Sequence, residues 1–407
     1  MTTRCALLAL ACASAACAGH GAPALNPARA GHWLGTWTAS QQLVEPRNMP
    51  PAPGLTGSTL RQVIHLSVGG PAVRVRFSNM FSDAPLSINS AHLARSLGGH
   101  AIDPTSDRRL TFRGRDSVLI APGATAISDS LPFDAGAASD LAITIYLAAA
   151  PPDLTGHPGS RTTSYIQTGQ WVAASAMPDA VTTDHWYVLA GVDVAAPEAG
   201  AAVVTLGNSI TDGRGSGTNR NDRWPDNLAR RLQADPRTRH IAVLNAGIGG
   251  NAVVTGGLGP TALSRLDRDV LEPAGVRWVI LLEGVNDIGA AHDSATAAAV
   301  AARLIDAYSE IIHRAHARGL RIYGGTITPF GGSQYDCPGC ESARQTVNTW
   351  IRTSAAFDAV IDFDAAVRDP AQPTRLLPTL DTGDHLHPNE AGYRVMADAI
   401  DLALFVP

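Results

Sequence analysis

Val203-Val204-Thr205-Leu206-Gly207-Asn208-Ser209-Ile210-Thr211-Asp212-Gly213 reads as an apolar strand that runs into a small-residue turn and projects one serine. The strand stops at Leu206, and Gly207 lets the chain turn sharply. Ser209 is left at the strand's carboxyl end, where open α/β sheets gather their reactive groups. A serine hydroxyl is a weak nucleophile unless a base and oxyanion donors can reach it. The rest of the chain has to supply both.

Around this stretch, short apolar runs alternate with helical patterns from Ala201 onward. The expected strands are Val203 to Leu206, Ile241 to Leu244, Trp278 to Leu282, Ile322 to Ile327 and Val360 to Phe363. Between them, Val300, Leu304, Tyr308, Ile311, Ile312 and Ala315 fall at helical spacing. Val347, Trp350 and Ile351 mark another helix, and Ala391 to Leu404 a last one. This alternation predicts a parallel sheet with helices on both faces.

From Trp33 to about Asp193 the period is two instead. Val73, Val75 and Phe77 alternate with Arg74 and Arg76, which fall on a solvated strand face. Ile143, Ile145 and Leu147 alternate with smaller or more polar residues, and Ile64, Leu66 and Val68 repeat the pattern. Breaks rich in Gly, Pro and Asp separate the runs, so residues 32–194 are expected to form a β-sandwich domain. Residues 195–200 read as a linker, and residues 201–407 as the catalytic domain. A length of 407 residues agrees with two domains. The four tryptophans Trp33, Trp37, Trp171 and Trp186 could build a sugar platform, but core packing is the commoner use of such residues.

Each of the first three α/β strands is followed by a distinctive loop. The first carries Ser209. The second is Asn245-Ala246-Gly247-Ile248-Gly249-Gly250-Asn251, rich in glycine where backbone N–H groups can approach a ligand. The third is Glu283-Gly284-Val285-Asn286-Asp287. Asp384-His385-Leu386-His387-Pro388-Asn389 precedes the last helix. In a parallel sheet such strand ends share one crevice.

These four blocks, in this order, resemble those of the SGNH hydrolases, the GDSL esterase/lipase superfamily, over Val203 to the C-terminus. The leading β domain and Arg223-Trp224-Pro225-Asp226 are similar to a bacterial subgroup linked to deacetylation of plant polysaccharide such as xylan. The resemblance implies a three-layer α/β/α, flavodoxin-like hydrolase domain behind the β-sandwich, and a serine esterase needing no metal or organic cofactor. It implies Ser209 as nucleophile, His387 as base and Asp384 as the acid that orients the imidazole. The Ser209 and Gly250 backbone N–H groups and the Asn286 amide would form the oxyanion hole. Family members usually carry Asp before the serine, where this chain has Asn208.

The implied substrates are short acyl esters, chiefly acetyl esters on carbohydrate, small or polymeric. A lipid acylhydrolase or lysophospholipase of the same mechanism is one alternative, and a carbohydrate-binding protein with a degenerate esterase domain another. Asp384, His385 and His387 could instead mark a zinc half-site, but Pro388 and Asn389 complete the hydrolase block. Asp381 is the fallback acid.

A net charge of −5 gives no support to nucleic-acid partners. Residues 1–18 have the form of a signal peptide, with Arg4, an apolar run from Cys5 to Ala16, and Ala16-Cys17-Ala18 as a cleavage pattern. The expected location is periplasmic or extracellular. Ser14 to Cys17 loosely resembles a lipoprotein signal but lacks the leucine three places before Cys17. No later segment is apolar and long enough to span a bilayer. Signal removal leaves Cys337 and Cys340 of five cysteines, which an oxidising compartment favours as a local disulfide.

Overall fold

The computed structural model describes residues 32–406, so the signal-like segment lies outside the described residues. Two larger antiparallel sheets, with a three-stranded and a two-stranded one beside them, build the first half. One has the spatial order His32–Thr38, Leu189–Ala196, Gly70–Asn79, Ala124–Ile127, with Leu131–Ala135 also paired to Gly70–Asn79. The other is seven-stranded, with Ser58–His65 and Asp140–Leu147 paired at its centre. Alternation works as expected in Gly70–Asn79, where Val73, Val75 and Phe77 are fully buried.

The opposite face of that strand is not simply solvated. Arg74 Nε lies 2.7 Å and Arg76 Nη2 3.6 Å from Asp193 Oδ2, and the Arg74 guanidinium covers the Trp33 ring at 4.6 Å. Trp37 and Trp186 are buried against each other at 4.8 Å, which is a core use. The expected run through Leu66 and Val68 also differs. Ser58–His65 ends at His65, and Thr36 Oγ1 donates to the Val68 carbonyl at 2.6 Å, drawing the chain out of the sheet.

The second half is a five-stranded parallel sheet. Its strands are Ala201–Gly207, Ile241–Gly247, Val276–Leu282, Arg321–Gly325 and Ala359–Ile361. Their spatial order is second, first, third, fourth, fifth, the flavodoxin-like arrangement with its switch point beside the first strand. Every residue of the first strand is buried, which explains its unbroken apolar character. Gly207 pairs with Gly247 on one side and Leu282 on the other. The three strand ends are therefore level, and the loops after them open at one place.

The helices are α1 (Ser209–Asp212), α2 (Trp224–Ala234), α3 (Val285–Gly289), α4 (Ser294–Ala317), α5 (Cys340–Thr353), α6 (Phe363–Val367) and α7 (Glu390–Asp398). The helices α2, α6 and α7 pack together, as do α3, α4 and α5. In α4 the Asp293 side chain accepts from the Thr296 N–H at 2.7 Å and caps the first turn. Val300, Leu304, Tyr308, Ile311, Ile312 and Ala315 form its buried stripe. Burying one such large apolar side chain is worth about 1.5–3 kcal/mol, so the stripe rather than intrinsic propensity holds the helix in place.

Some expected boundaries move. The strands expected through Ile327 and Phe363 end at Gly325 and Ile361; Phe363 instead opens α6, capped by Asp362, which accepts from Ala365 N–H. The last helix stops at Asp398 rather than Leu404, and a 3₁₀ turn, Leu402–Phe405, follows under an Asp401 cap. The strand Leu189–Ala196 takes up the first two residues of the expected linker, leaving Pro197–Gly200 between the halves.

One hydrophobic core runs through both halves. Polar contacts cross between them as well: Gly35 N–H donates to the Ala274 carbonyl at 2.9 Å, and Val243 N–H to Ser67 Oγ at 3.1 Å. Cys337 and Cys340 are disulfide-bonded at the start of α5. Among the described residues, no helix is long and apolar enough to cross a membrane.

Candidate active site

The Ser209 side chain sits where the first parallel strand becomes α1. Asn208 caps that helix, its Oδ1 accepting from Ile210 N–H at 3.0 Å. Gly207 is required just before, because a Cβ there would collide with the Thr211 hydroxyl. Ser209 N–H is thus the first free donor of a helix N-terminus.

Ser209 Oγ lies 2.8 Å from His387 Nε2, and His387 Nδ1 lies 2.7 Å from Asp384 Oδ2. Ser209 and His387 are buried, whereas the Asp384 side chain is 41% exposed. Because a carboxylate only accepts, Nδ1 carries the imidazole proton and Nε2 is left to accept from Oγ. Asp384 Oδ1 also accepts from the N–H groups of Leu386 and His387, at 3.0 and 2.9 Å. Burial alone would raise its carboxyl, but the backbone and ring hydrogen bonds of His387 prevail and hold it well below the usual carboxylate range. Burial pushes the His387 imidazole below its ordinary value. Asp384 opposes that shift, while Arg214 and Arg161 add to it.

Asp381, the fallback acid, serves the neighbouring histidine instead. Its Oδ2 is 2.7 Å from His385 Nδ1 and its Oδ1 accepts from the Gly383 and His385 N–H groups. His385 has a left-handed backbone at φ 61° and a half-exposed side chain. Among the described residues, no group of three or more His, Cys, Asp or Glu is arranged to hold a metal ion.

Gly250 and Asn286 line the same cleft as Ser209 and His387. Gly250 has φ 72°, a conformation that favours glycine, and its carbonyl accepts from Leu258 N–H at 2.8 Å. Among the described residues, the N–H groups of Ser209 and Gly250 donate to no other protein group. Asn286 Nδ2 donates to the Asn251 carbonyl at 2.7 Å and its Oδ1 accepts from Tyr335 Oη at 2.9 Å, so the amide is fixed with one N–H left over.

Arg265, fully buried, ties these loops together. It donates to the Gly207 carbonyl at 3.0 Å, the Ala246 carbonyl at 2.6 Å and Asn251 Oδ1 at 2.9 Å. It also reaches Ser40 Oγ in the β-rich half at 3.2 Å.

The β-rich half takes part in the site, which sequence reasoning missed. The cleft of about 700 Å³ is lined on one side by Gln42, Glu45, Arg47, Pro158, Arg161 and His185 of that half. His157 bridges the two, with Nδ1 at 2.8 Å from the Ser40 carbonyl and Nε2 at 2.8 Å from Asp212 Oδ1, both side chains buried. Gly159 passes so close to Asp212 that a Cβ there would strike its carboxylate. No periodicity or spacing marks His157, because its partner lies in α1, far along the chain.

Residues 205–395 match the family model of the GDSL-like lipase/acylhydrolase family. A helix-flanked sheet of this order, with Ser209 at its switch point, agrees with that match. This part of the chain is a domain of the GDSL-like lipase/acylhydrolase family, whose members are carboxylic ester hydrolases, and the β-rich region precedes it. Solved structures similar to this half include a member of the lipolytic G-D-S-L family from Veillonella parvula DSM 2008. It is 22% identical, with 51% of this chain and 97% of that one covered and a TM-score of 0.35. Another is an acetylxylan esterase from Geobacillus stearothermophilus, solved as a catalytic mutant, at 21% identity, 49% and 93% coverage and a TM-score of 0.37. No curated protein matches the chain.

Proposed function

We propose that the protein is an exported serine esterase that removes short acyl groups, chiefly acetyl, from carbohydrate esters. The observation that carries this reading is the chain of contacts from Ser209 Oγ to His387 Nε2 to Asp384, at 2.8 and 2.7 Å, on the wall of an open cleft.

In this reading His387 Nε2 takes the Ser209 proton as Oγ attacks the ester carbonyl. The Ser209 and Gly250 N–H groups and the remaining Asn286 N–H receive the charge that develops on the carbonyl oxygen. The alcohol leaves with the proton from His387. Water then attacks the acyl-enzyme, giving its proton to His387, and the free acid departs as Ser209 recovers its own. Asp384 stays ionised throughout and stabilises the imidazolium.

The cleft favours a polar alcohol and a short acyl group. Its aliphatic lining is limited to Pro158, Leu258 and Leu386, while amides, arginines, two histidines and the carboxyl groups of Glu45 and Asp212 supply most of the rest. A long-chain lipid needs a continuous apolar channel, which such a lining does not make. Export is supported by the signal-like N-terminus and by the Cys337–Cys340 bond. A panel of 4-nitrophenyl acetate, butyrate and decanoate, run beside acetylated xylan and a lysophospholipid, tests the reading. It predicts falling kcat/KM with acyl length and acetate release from xylan. Preference for decanoate or the lysophospholipid contradicts it.

A further inference from the structure

Three arginines reach the cleft from separate segments. Arg47 comes from the 3₁₀ turn Pro46–Asn48, Arg161 from the loop after Thr155–His157, and Arg214 from the residue beyond the left-handed Gly213 that ends α1. Among the described residues, none of the three guanidinium groups has a carboxylate within 4 Å or donates a hydrogen bond to the protein. Neither acid of the cleft pairs with these arginines, although Asp212 Oδ2 is itself buried without a partner. Glu45 accepts from the amides of Gln42 at 2.7 Å and Asn48 at 2.8 Å, and Asp212 faces His157.

Arg161 is the most constrained of the three. Its backbone is left-handed at φ 52°, and its carbonyl accepts from Asn219 N–H at 2.9 Å. Its Nε is buried with no partner. A non-glycine residue holds such a conformation only where its surroundings impose it, and these positions gather at functional sites. A guanidinium cannot give up its proton, so a buried N–H without an acceptor is a standing cost that a ligand oxygen would relieve. A planar guanidinium matches a carboxylate in geometry as well as charge.

We propose that Arg161, helped by Arg47 and Arg214, recognises a carboxylate on the alcohol side of the ester, so that the preferred substrate is an acetylated saccharide containing a uronic acid. The inference rests on the esterase reading above and adds the substrate class. It gives the β-rich half a task in specificity, since Arg47 and Arg161 both belong to it. Arg161 and Arg214 line the same cleft as Ser209 and His387, and their charge bears on the His387 imidazole. A phosphate-bearing lipid would satisfy the charge, but not the scarcity of aliphatic surface.

The test compares kcat/KM for acetylated galacturonate oligosaccharides with that for the same oligosaccharides after carboxyl reduction, at low salt. The wild type is expected to favour the acidic form at least tenfold, chiefly through KM, with the preference shrinking as salt rises. In Arg161→Gln the acid-to-neutral ratio is expected to fall to within a few-fold of one. In Arg161→Lys, which keeps the charge but not the fork, it should be intermediate. Because the readout is a ratio within each variant, a general loss of activity cancels, and thermal melting reports whether the variants fold. Equal rates on both forms in the wild type, an undiminished ratio in Arg161→Gln, or faster turnover of lysophosphatidylglycerol than of either oligosaccharide would overturn the inference. Failure of the wild type to turn over 4-nitrophenyl acetate would instead sink the esterase reading itself.

Discussion

Asn208 Nδ2 donates to Glu283 Oε2 across 3.1 Å, in a part of the molecule that neither side chain shares with water. The contact gives a physical reason for asparagine where the family usually has aspartate. Glu283 is pushed up to about 8 by burial; Arg265, 3.6 Å away, opposes the shift and Asp287 adds to it. An aspartate at 208 would set a second carboxylate against this one, whereas the amide offers a donor and still caps α1 through its oxygen.

Asn208→Asp should therefore destabilise the protein in a pH-dependent way. Glu283 has a folded-state value raised above its ordinary 4.5, so its contribution is complete below that value and is lost as pH rises through about 8. A second carboxylate raises it further, and each added unit costs about 1.4 kcal/mol at high pH. Melting temperatures from pH 5 to 9 should show a wild-type to variant gap that widens with pH. Glu283→Gln in the same background should flatten it. A constant gap would refute the contact's role.

The acidic limb of activity should lie below pH 6.5. The base must be neutral to accept the Ser209 proton, and burial lowers the His387 imidazole from 6.5, with Arg214 and Arg161 adding to the effect against the pull of Asp384. The pH profile of kcat/KM on a neutral ester reads this directly. Arg214→Gln should move the limb upward. A wild-type limb above 7 would mean that a different group titrates.

If Asn286 supplies the side-chain oxyanion donor as proposed, its loss should slow chemistry more than binding. Asn286→Ala should lower kcat about 10²–10³-fold. Tyr335→Phe, which only frees the amide oxygen that Tyr335 Oη now holds, should cost far less. A rise in KM with kcat intact would make Asn286 a substrate-binding group instead.

The two histidines of the last block should separate cleanly. His387→Ala should abolish turnover, whereas His385→Ala should retain most of it, because His385 contacts Asp381 and not the serine. Prolonged EDTA treatment should leave the rate unchanged. Inactivation by the chelator with recovery on adding zinc would favour the metal reading of this block.

The α/β half was legible because its chemistry is local. Buried parallel strands write continuous apolar runs such as Val203 to Leu206, and a helix with one packed face writes the period seen from Val300 to Ala315. Ends were less legible: Phe363 continues an apolar run, yet the Asp362 cap turns it into a helix. Within the candidate site, the residues of the four blocks announce themselves by type and setting. His157, Arg161 and Arg265 do not. They matter only because packing of the β-rich half against the sheet brings Ser40 to Arg265 and Asp212 to His157, contacts between residues far apart in the chain. A left-handed arginine in a Gly-Ser-Arg-Thr-Thr loop carries no local signal of the cleft it faces.

The central claim is that Ser209 forms the acyl-enzyme with His387 as its base, and covalent labelling tests it most directly. The protein is treated with an alkyl fluorophosphonate, digested, and its peptides are weighed. One phosphonyl adduct on the peptide containing Ser209 is the expected result. It should be absent in Ser209→Ala and should form at least a hundredfold more slowly in His387→Ala. An adduct on another serine, or labelling of Ser209 at an undiminished rate without His387, would contradict the account.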